Sequence, residues 1–216
     1  MKNTVMKPDK ITNFRAAKEQ HQQKLRQGIL DDVSSLLVKE GANALTMRRI
    51  ADTVGCSTTV LYTMFRNKQG LVNELYLRGF DILRQSLKAV SYPGNQKDYI
   101  YLLCLSYRDF ALSNPTYYSI MFFKVIPEYT PGKTNLKLGQ SSIELLVQAI
   151  KDCMTNKPEV EDKAWEIARV IWATVHGHVG LELTGYFNYL KVSPQPMLER
   201  ALQALVNELL PTNEEK

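Results

Sequence analysis

The stretch TTVLYT, residues 58–63, contains three threonines within six positions. A threonine hydroxyl can donate or accept a hydrogen bond, and its methyl group can contact the methyl of thymine. Ser57 and Thr46 lie ahead of this stretch and are suited to cap helices, because their oxygens can accept from orphan backbone N–H groups. Lys68 follows it at a predicted helix N-terminus, where a positive charge favours a bound phosphate. These residue types and spacings indicate contacts to DNA.

Two short helices joined by a tight turn are predicted for residues 46–65. Gly55 ends the first helix, because glycine enters the left-handed region without steric cost. In the second helix, Val60, Leu61 and Phe65 are expected to face inward, which leaves the threonines pointing elsewhere. Two helices of this length around a glycine-containing turn are a helix-turn-helix, whose second helix lies in the DNA major groove.

The same stretch resembles the signature of the tetracycline-repressor (TetR) family. The matching positions, at fixed spacing, are Thr46, Ile50, Ala51, Gly55, Ser57, Leu61, Tyr62, Phe65, Asn67, Lys68 and Leu71. The resemblance is specific over roughly residues 20–80. It implies an all-α protein, in which a three-helix helix-turn-helix domain precedes a larger helical domain for effector binding and dimerisation.

The resemblance also assigns roles to two side chains of the DNA site. It places the hydroxyl of Tyr62 against a phosphate, and it gives Arg48 a position from which it can reach a guanine. Bidentate donation to guanine O6 and N7 is the commonest specific contact. Core packing is the alternative role for Tyr62. The predicted DNA-binding residues are Thr46, Arg48, Ser57, Thr58, Thr59, Tyr62, Thr63 and Lys68.

The charge of the chain is distributed unevenly. The 216 residues carry a formal net charge of +5. Residues 1–90 contain 15 lysines and arginines against 8 acidic residues, whereas residues 91–216 contain 12 against 14. A basic N-terminal part suits a nucleic-acid reader. A solvated basic surface is the alternative, which the coincidence with a helix-turn-helix disfavours.

Cysteine use and hydropathy indicate the cellular compartment. Cys56, Cys104 and Cys153 are scattered and have no metal-type spacing, so we expect buried thiols in a reducing cytoplasm. No run of about 18 apolar residues predicts a membrane span. His176 and His178 lie two apart, which on a helix prevents chelation of one metal. We therefore expect a cytoplasmic protein that does not span a membrane. We also expect that it binds no metal or cofactor and is not an enzyme.

The helical periodicity predicts about nine helices. We divide the chain into four segments. Residues 1–20 are expected to form a flexible basic leader, which could also lie in the minor groove. Residues 21–67 form the helix-turn-helix domain, 68–92 a linking helix, and 93–216 the effector-binding and dimerisation domain. The predicted helices span residues 22–40, 46–54, 57–65, 67–90, 97–112, 115–124, 135–154, 159–187 and 194–210.

Aromatic side chains in the C-terminal part suggest a pocket for an apolar or aromatic effector. The candidate ligand-binding residues are Tyr101, Tyr107, Phe110, Tyr118, Met121, Phe122, Trp172 and His176. An ordinary hydrophobic core would have the same composition, and this alternative stays open. The stretch from Trp172 to Gly177 is similar to a Trp…His-Gly motif in one branch of TetR-type C-terminal domains.

Small residues at helical spacing predict a homodimer interface. Ala173, Gly177, Gly180 and Thr184 lie near one helix face and would let a second helix approach closely. With the last predicted helix, they could build a four-helix interface about a two-fold axis. The helix residues proposed for it are Leu198, Ala201, Leu202 and Leu205. Close packing inside one chain is the alternative.

Taken together, the sequence predicts a DNA-binding transcriptional regulator. The resemblance favours a dimeric repressor that a small effector releases from a palindromic operator. A TetR-like protein that docks on another regulator without binding DNA is the competing interpretation.

Overall fold

The computed structural model describes residues 13–154 and 160–211 and is all-helical over these ranges. Eleven α-helices and one 3₁₀ helix at Ala42–Ala44 follow one another, which confirms the all-α fold and gives two helices more than predicted. The α-helices are α1 Phe14–Glu40, α2 Met47–Val54, α3 Thr58–Phe65, α4 Lys68–Lys88, α5 Gln96–Ser113, α6 Pro115–Phe122, α7 Lys133–Ser141, α8 Glu144–Cys153, α9 Val160–Leu183, α10 Tyr186–Leu190 and α11 Pro194–Leu209.

Helix α1 begins earlier than the sequence predicted. Asn13 caps it by accepting from the backbone N–H of Ala16 at 3.3 Å. Residues 14–20, expected in a flexible leader, therefore form its first two turns. The cap and the strong helix formers that follow it explain why the helix begins earlier than predicted. Residues 1–12 of the predicted leader lie outside the described residues.

The polypeptide divides into two compact units, the first ending at Leu71 and the second beginning at Val72. In the first unit, α1, α2 and α3 enclose a small core that includes Val33, Ile50 and Leu61, all fully buried. Gly55 takes the left-handed conformation at the end of α2, as its position predicted. Val60, expected in this core, is 40% exposed because it lies on the outer side of α3.

The second unit is built around α9. This helix packs against α5, α8, α10 and α11, and α5 also contacts α6, α8 and α11. Ile100, Ile150, Ile171 and Leu198 are fully buried where these helices meet. The core of this unit therefore lies between α5, α8, α9 and α11.

Two long predicted helices are each broken in the structure. The helix predicted for residues 135–154 is divided between α7 and α8 by a turn at Ser142 and Ile143. The helix predicted for 159–187 ends at Leu183, and Gly185, with a φ of 73°, begins α10. A left-handed residue interrupts the backbone hydrogen-bond ladder, which explains the second break. Within the described residues, no helix is long and apolar enough to cross a membrane.

Candidate DNA-binding surface and ligand cavity

One side of α3 presents hydroxyl groups to solvent. Thr59, Tyr62 and Thr63 are exposed, Tyr62 by half of its surface, and we call these three residues the reading face. Thr58 is half-buried at the start of the same helix. The exposure of Tyr62 makes core packing the weaker of its two predicted roles. Val60 adds an exposed aliphatic side chain that the sequence interpretation had placed in the core.

Local hydrogen bonds determine whether each hydroxyl can still donate to, or accept from, a DNA group. Thr46 accepts from the Arg49 amide at 3.1 Å, and Ser57 accepts from the Val60 amide at 3.4 Å. Both are helix caps, as predicted, and both keep a proton to donate. Thr63 donates to the Thr59 carbonyl at 2.9 Å and keeps its lone pairs. Thr46 and Ser57 are thus suited to phosphate oxygens, and Thr63 to donors on base edges.

The two adjacent arginines of α2 have different surroundings. The Arg49 guanidinium is paired with the carboxylate of Glu40, one of its bonds being Nε to Oε2 at 3.1 Å. The hydrogen bond from Arg49 holds the pKa of the Glu40 carboxyl below its usual value. Arg48 is exposed and forms no ion pair among the described residues. Arg48 is therefore the arginine whose donors stay available to DNA.

Contacts from α1 and α4 hold α3 in place. Arg26 donates from Nη2 to the Met64 carbonyl at 2.6 Å, and its guanidinium lies 5.1 Å from the ring centre of Phe65. Asn67 caps α4 by accepting from the Gly70 amide at 2.8 Å. A Cβ at Gly70 would lie 2.0 Å from the Phe65 carbonyl oxygen, so only glycine fits there. The roles of Arg26 and Gly70 were not predicted. Arg26 contacts residues almost 40 positions away in the chain, and Gly70 is required by a close backbone approach that its sequence neighbours do not indicate.

Lys68 is the first residue of α4 and is half-buried. Its backbone lies at a helix N-terminus, whose dipole favours an anion. This position agrees with the phosphate contact predicted for it.

The second unit contains a cavity of about 430 Å³, which we call the central cavity. Its size lies within the range of small-molecule sites, and most of its lining is apolar or aromatic. The lining residues are Tyr76, Phe80, Leu87, Leu103, Cys104, Tyr107, Met121, Phe122, Leu136, Gly139, Gln140, Ser142, Ile143, Leu145, Leu146, Trp165, Arg169, Trp172 and Val175.

Half of the predicted ligand-binding residues line this cavity, namely Tyr107, Met121, Phe122 and Trp172. The other four do not. Phe110 is in the core, and Tyr101 lies beside a separate cleft of about 210 Å³ near Leu202.

Tyr118 and His176 lie next to Tyr107 and form a polar network with it. Tyr107 contacts Nδ1 of His176 at 3.1 Å and the Tyr118 hydroxyl at 3.4 Å. Trp172 donates from Nε1 to the Tyr107 hydroxyl at 3.2 Å. The Tyr118 oxygen is 2.6 Å from Nδ1 of His176. These side chains satisfy one another, which explains why Tyr118 and His176 support the cavity wall instead of lining the cavity.

Burial shifts the pKa values of the cavity groups. It raises the pKa of Tyr107 to about 12 and that of the Cys104 thiol to about 12. It lowers the pKa of His176. At neutral pH these groups are uncharged, so the wall that they form suits an uncharged part of a ligand.

Gly139 brings α7 close to α4 at the edge of the cavity. A Cβ at this position would lie 3.0 Å from Cζ of Phe80 and 3.3 Å from the Tyr76 hydroxyl. Both aromatic rings line the cavity, so glycine here lets them pack directly against the α7 backbone.

The outward side of α9 carries small and aliphatic residues, and we call it the outer α9 face. Its members are Val170, Ala173, Gly177 and Leu181, together with Thr184 directly after the helix, and all are exposed at spacings of three or four. A Cβ on Gly177 would meet nothing within 4 Å, so no close approach inside the chain requires this glycine. That observation disfavours intrachain packing as the reason for the small residues.

The remaining residues predicted for the dimer interface differ in accessibility. Gly180, Ala201 and Leu205 are partly exposed. Leu198 and Leu202 are fully buried, because α11 turns this side toward α5 and α9. Leu198 and Leu202 are therefore core residues and cannot contact a partner.

Family models match both parts of the chain. Residues 29–75 match the model described as bacterial regulatory proteins of the tetR family, and residues 100–205 match the tetracyclin repressor-like C-terminal domain. The chain belongs to the TetR family. As a TetR-family protein with a helix-turn-helix, it is a DNA-binding transcriptional regulator.

Individual relatives agree with this assignment. A helix-turn-helix-type transcriptional regulator of Mycobacterium tuberculosis, Rv0681, whose function is uncharacterised, is 23% identical over 160 residues, which cover 74% of this chain and 71% of that protein. The crystal structure of the regulatory protein SCO4313 is 23% identical, covers 88% of this chain and 98% of its own, and has a TM-score of 0.76.

A second crystal structure contains a ligand. It is a TetR variant from Acinetobacter baumannii AYE in complex with minocycline, with 16% identity, a TM-score of 0.59, and coverage of 85% of this chain and 97% of that one. At these identities the two crystal structures show that the fold is shared.

Within the described residues, no group of three or more His, Cys, Asp or Glu side chains could bind a metal ion.

Proposed function

We propose that this TetR-family protein is a dimeric repressor that leaves a near-palindromic operator when a small apolar or aromatic effector enters the central cavity. One observation carries the proposal. Helix α4 begins at Lys68, three residues after the end of α3, and its residues Tyr76, Phe80 and Leu87 line the cavity. A ligand that favours one position of α4 would shift the population of DNA-binding conformations.

The DNA side of the proposal rests on α3 and α2. The reading face and Val60 would enter the major groove and contact bases through hydroxyl and methyl groups. Arg48 would donate to a guanine, while Thr46, Tyr62 and Lys68 would position the protein on phosphates.

The dimer side of the proposal rests on the outer α9 face. Its exposed aliphatic side chains and open glycine would pack against the same face of a second copy, together with Ala201 and Leu205 of α11. A two-fold dimer presents two copies of α3. The operator should therefore contain two half-sites in opposite orientation, separated by about one helical turn or slightly more.

The effector side rests on the size and apolar lining of the cavity. In the Acinetobacter baumannii relative, the crystal contains minocycline. For this chain, an apolar or aromatic molecule is supported by the rings of Phe80, Phe122 and Trp172 on the cavity wall. This effector would lower the affinity for the operator.

Selection of bound sequences from a random DNA duplex pool tests the proposal. The purified full-length chain should enrich near-palindromes and bind them with strong salt dependence. Arg48→Ala should weaken binding to the selected sequence by about 5- to 150-fold, the range of one bidentate base contact, and relax the preference at one position of each half-site. Tyr62→Phe, which removes only a hydroxyl, should weaken binding to all sequences alike.

Lys88→Ala provides the matched control. This lysine is exposed in the last turn of α4, and its replacement removes the same charge as Arg48→Ala. It should leave operator binding almost unchanged. If no sequence is enriched, and the Arg48 variant binds DNA as the unmodified chain does, the protein does not read DNA. The competing hypothesis, that the protein docks on another regulator without binding DNA, would then be favoured.

A further inference from the structure

The central cavity has a single formally charged lining residue within the described chain, Arg169 of α9. Its guanidinium lies 5.6 Å from the ring centre of Trp165, one turn earlier on the same helix. Stacking on an indole restricts the orientation of the guanidinium plane. The donors of Arg169 are therefore held beside the cavity by a neighbour that also lines it.

Arg169 has no acidic partner among the ion pairs of residues 13–154 and 160–211. The nearest acidic residue in sequence that forms an ion pair, Glu161, is bound to Lys151. Side-chain hydrogen bonds of Arg169 to other described residues are likewise absent. The guanidinium thus keeps its five N–H donors for solvent or for a ligand.

Apart from the neutral side chains of Tyr76 and Gln140, the other polar groups of the cavity have little to offer a ligand. The Tyr107 hydroxyl already lies within hydrogen-bond distance of three groups, including Nε1 of Trp172. The Ser142 hydroxyl donates to the Gly139 carbonyl at 2.7 Å. Cys104 is buried and uncharged, since burial raises its pKa. An anionic group in the cavity would therefore find its strongest partner at Arg169.

Spacing along α9 indicates the size of the molecule that fits. From Arg169, the lining residues Trp172 and Val175 lie about 4.5 and 9 Å further along the helix axis. A ligand anchored at Arg169 can thus place an apolar body about as long as a bicyclic aromatic system beside them. A planar carboxylate matches the guanidinium fork, whereas a phosphate dianion would leave one of its charges without a cation.

We propose that the ligand of the central cavity is an organic monocarboxylate, with an apolar or aromatic body against Phe122 and Trp172 and its carboxylate paired with Arg169. This inference rests on the proposed effector function and specifies the chemical class of the effector. The pair is partly solvated, so it selects among ligands by charge, while the enclosed body supplies most of the affinity.

Two matched pairs of probes test this directly with the full-length chain in the absence of DNA: 1-naphthoate against 1-naphthamide, and decanoate against decanamide. Binding is measured by calorimetry and by tryptophan fluorescence. The carboxylates should bind about 2- to 5-fold tighter than the amides, as expected for an ion pair screened by solvent. In Arg169→Gln this preference should disappear, while the affinity for the amides stays the same. Arg169→Lys should keep part of it.

Arg200→Gln is the matched control, because Arg200 is exposed on α11, does not line the cavity, and its loss removes the same charge. It should keep the full preference for carboxylates. Equal affinity for carboxylates and amides, a preference that survives in Arg169→Gln, or no binding of any carboxylate at millimolar concentration would overturn the inference.

A separate operator-release assay with the same probes distinguishes this inference from the proposed function. Carboxylates that bind through Arg169 without affecting the protein–DNA complex would support the cavity chemistry and overturn the regulatory role. Release by the amides as readily as by the carboxylates would support regulation and overturn the role of Arg169.

Discussion

At the scale of single residues, His176 shows how a half-buried histidine can be structural. Burial raises the pKa of the Tyr118 phenol and lowers that of His176, so both are neutral near pH 7. Tyr107 donates to the Tyr118 oxygen, so we direct the proton of Tyr118 to Nδ1 of His176 and assign the imidazole N–H to Nε2. Protonation of Nδ1 would turn this acceptor into a donor, and the Tyr118 hydroxyl would have to reorient. The arrangement therefore suits a neutral His176.

The free energy of unfolding should fall as the pH drops below about 6.5. In this pH range His176 binds a proton more readily in the unfolded chain than in the folded protein, where partial burial lowers its pKa. Proton binding therefore stabilises the unfolded state. His176→Gln should reduce this slope, measured by urea unfolding at several pH values between about 8 and 5. His178 has a pKa lowered chiefly by burial and acts with the same sign, so the double variant should reduce the slope further. Equal slopes in all three proteins would contradict the linkage.

Some of these residue roles could be predicted from the sequence. Thr46, Ser57 and Asn67 were predictable caps, because capping depends on the next three residues only. The places of Tyr118 and His176 were not predictable, since both roles arise from neighbours about 60 residues away. Val60 was misplaced because α3 has only two turns, and its pattern does not define a buried side at every position.

At the scale of elements, the outer α9 face carries an unfavourable sequence for an isolated helix. A glycine in a helix interior costs about 1 kcal/mol relative to alanine. Gly177 has this cost and makes no close contact within the chain. A partner helix that needs the space would explain why a glycine stands there.

Gly177→Leu should raise the dissociation constant of the proposed dimer at least about tenfold, because the new side chain would occupy the interface. Sedimentation velocity over a concentration series measures this. Gly28→Leu in α1 is the matched control, since Gly28 is also helical, exposed and without neighbours within 4 Å. It should leave association unchanged.

Both leucine variants should also gain helix stability. If Gly177→Leu is more stable and associates as the unmodified protein does, the outer α9 face is not the interface.

Helix positions were predictable in most of the chain, whereas helix breaks were less so. The periodicity continues across Ser142, so residues 135–154 read as one helix although α7 and α8 are separate. Gly185 was placed inside the helix predicted for residues 159–187, whereas it is the left-handed residue at which α10 begins. A sequence pattern records which side chains are apolar, and the tertiary packing decides where the axis turns.

At the scale of the whole molecule, α4 is the continuous helix that the proposed phosphate contact and the proposed effector site share. It begins at Lys68 with a predicted phosphate contact and continues to Lys88, past three residues of the cavity wall. The sequence predicted this linking helix at residues 67–90, close to the observed range. The cavity itself was predictable only as an aromatic-rich composition, because its boundaries come from six different helices and their connections.

The effector and the operator should lower each other's affinity for the protein by the same factor. If 1-naphthoate lowers the operator affinity tenfold, saturating operator should lower the 1-naphthoate affinity tenfold, because the two bindings share one thermodynamic cycle. Titrating the ligand into the free protein and into the protein–DNA complex measures the second factor. A naphthoate affinity that is identical in both states would show that the cavity and the DNA site are independent.

The contact of Gly139 with Phe80 and Tyr76 has a consequence for engineering a biosensor. Because the α7 backbone already lies against both rings, any larger residue at this position must displace an aromatic side chain. The cavity can therefore be resized by changing one residue that carries no chemistry of its own. Selectivity for ligand length and selectivity for ligand charge would then be set at two separate positions, Gly139 and Arg169, and could be adjusted one at a time.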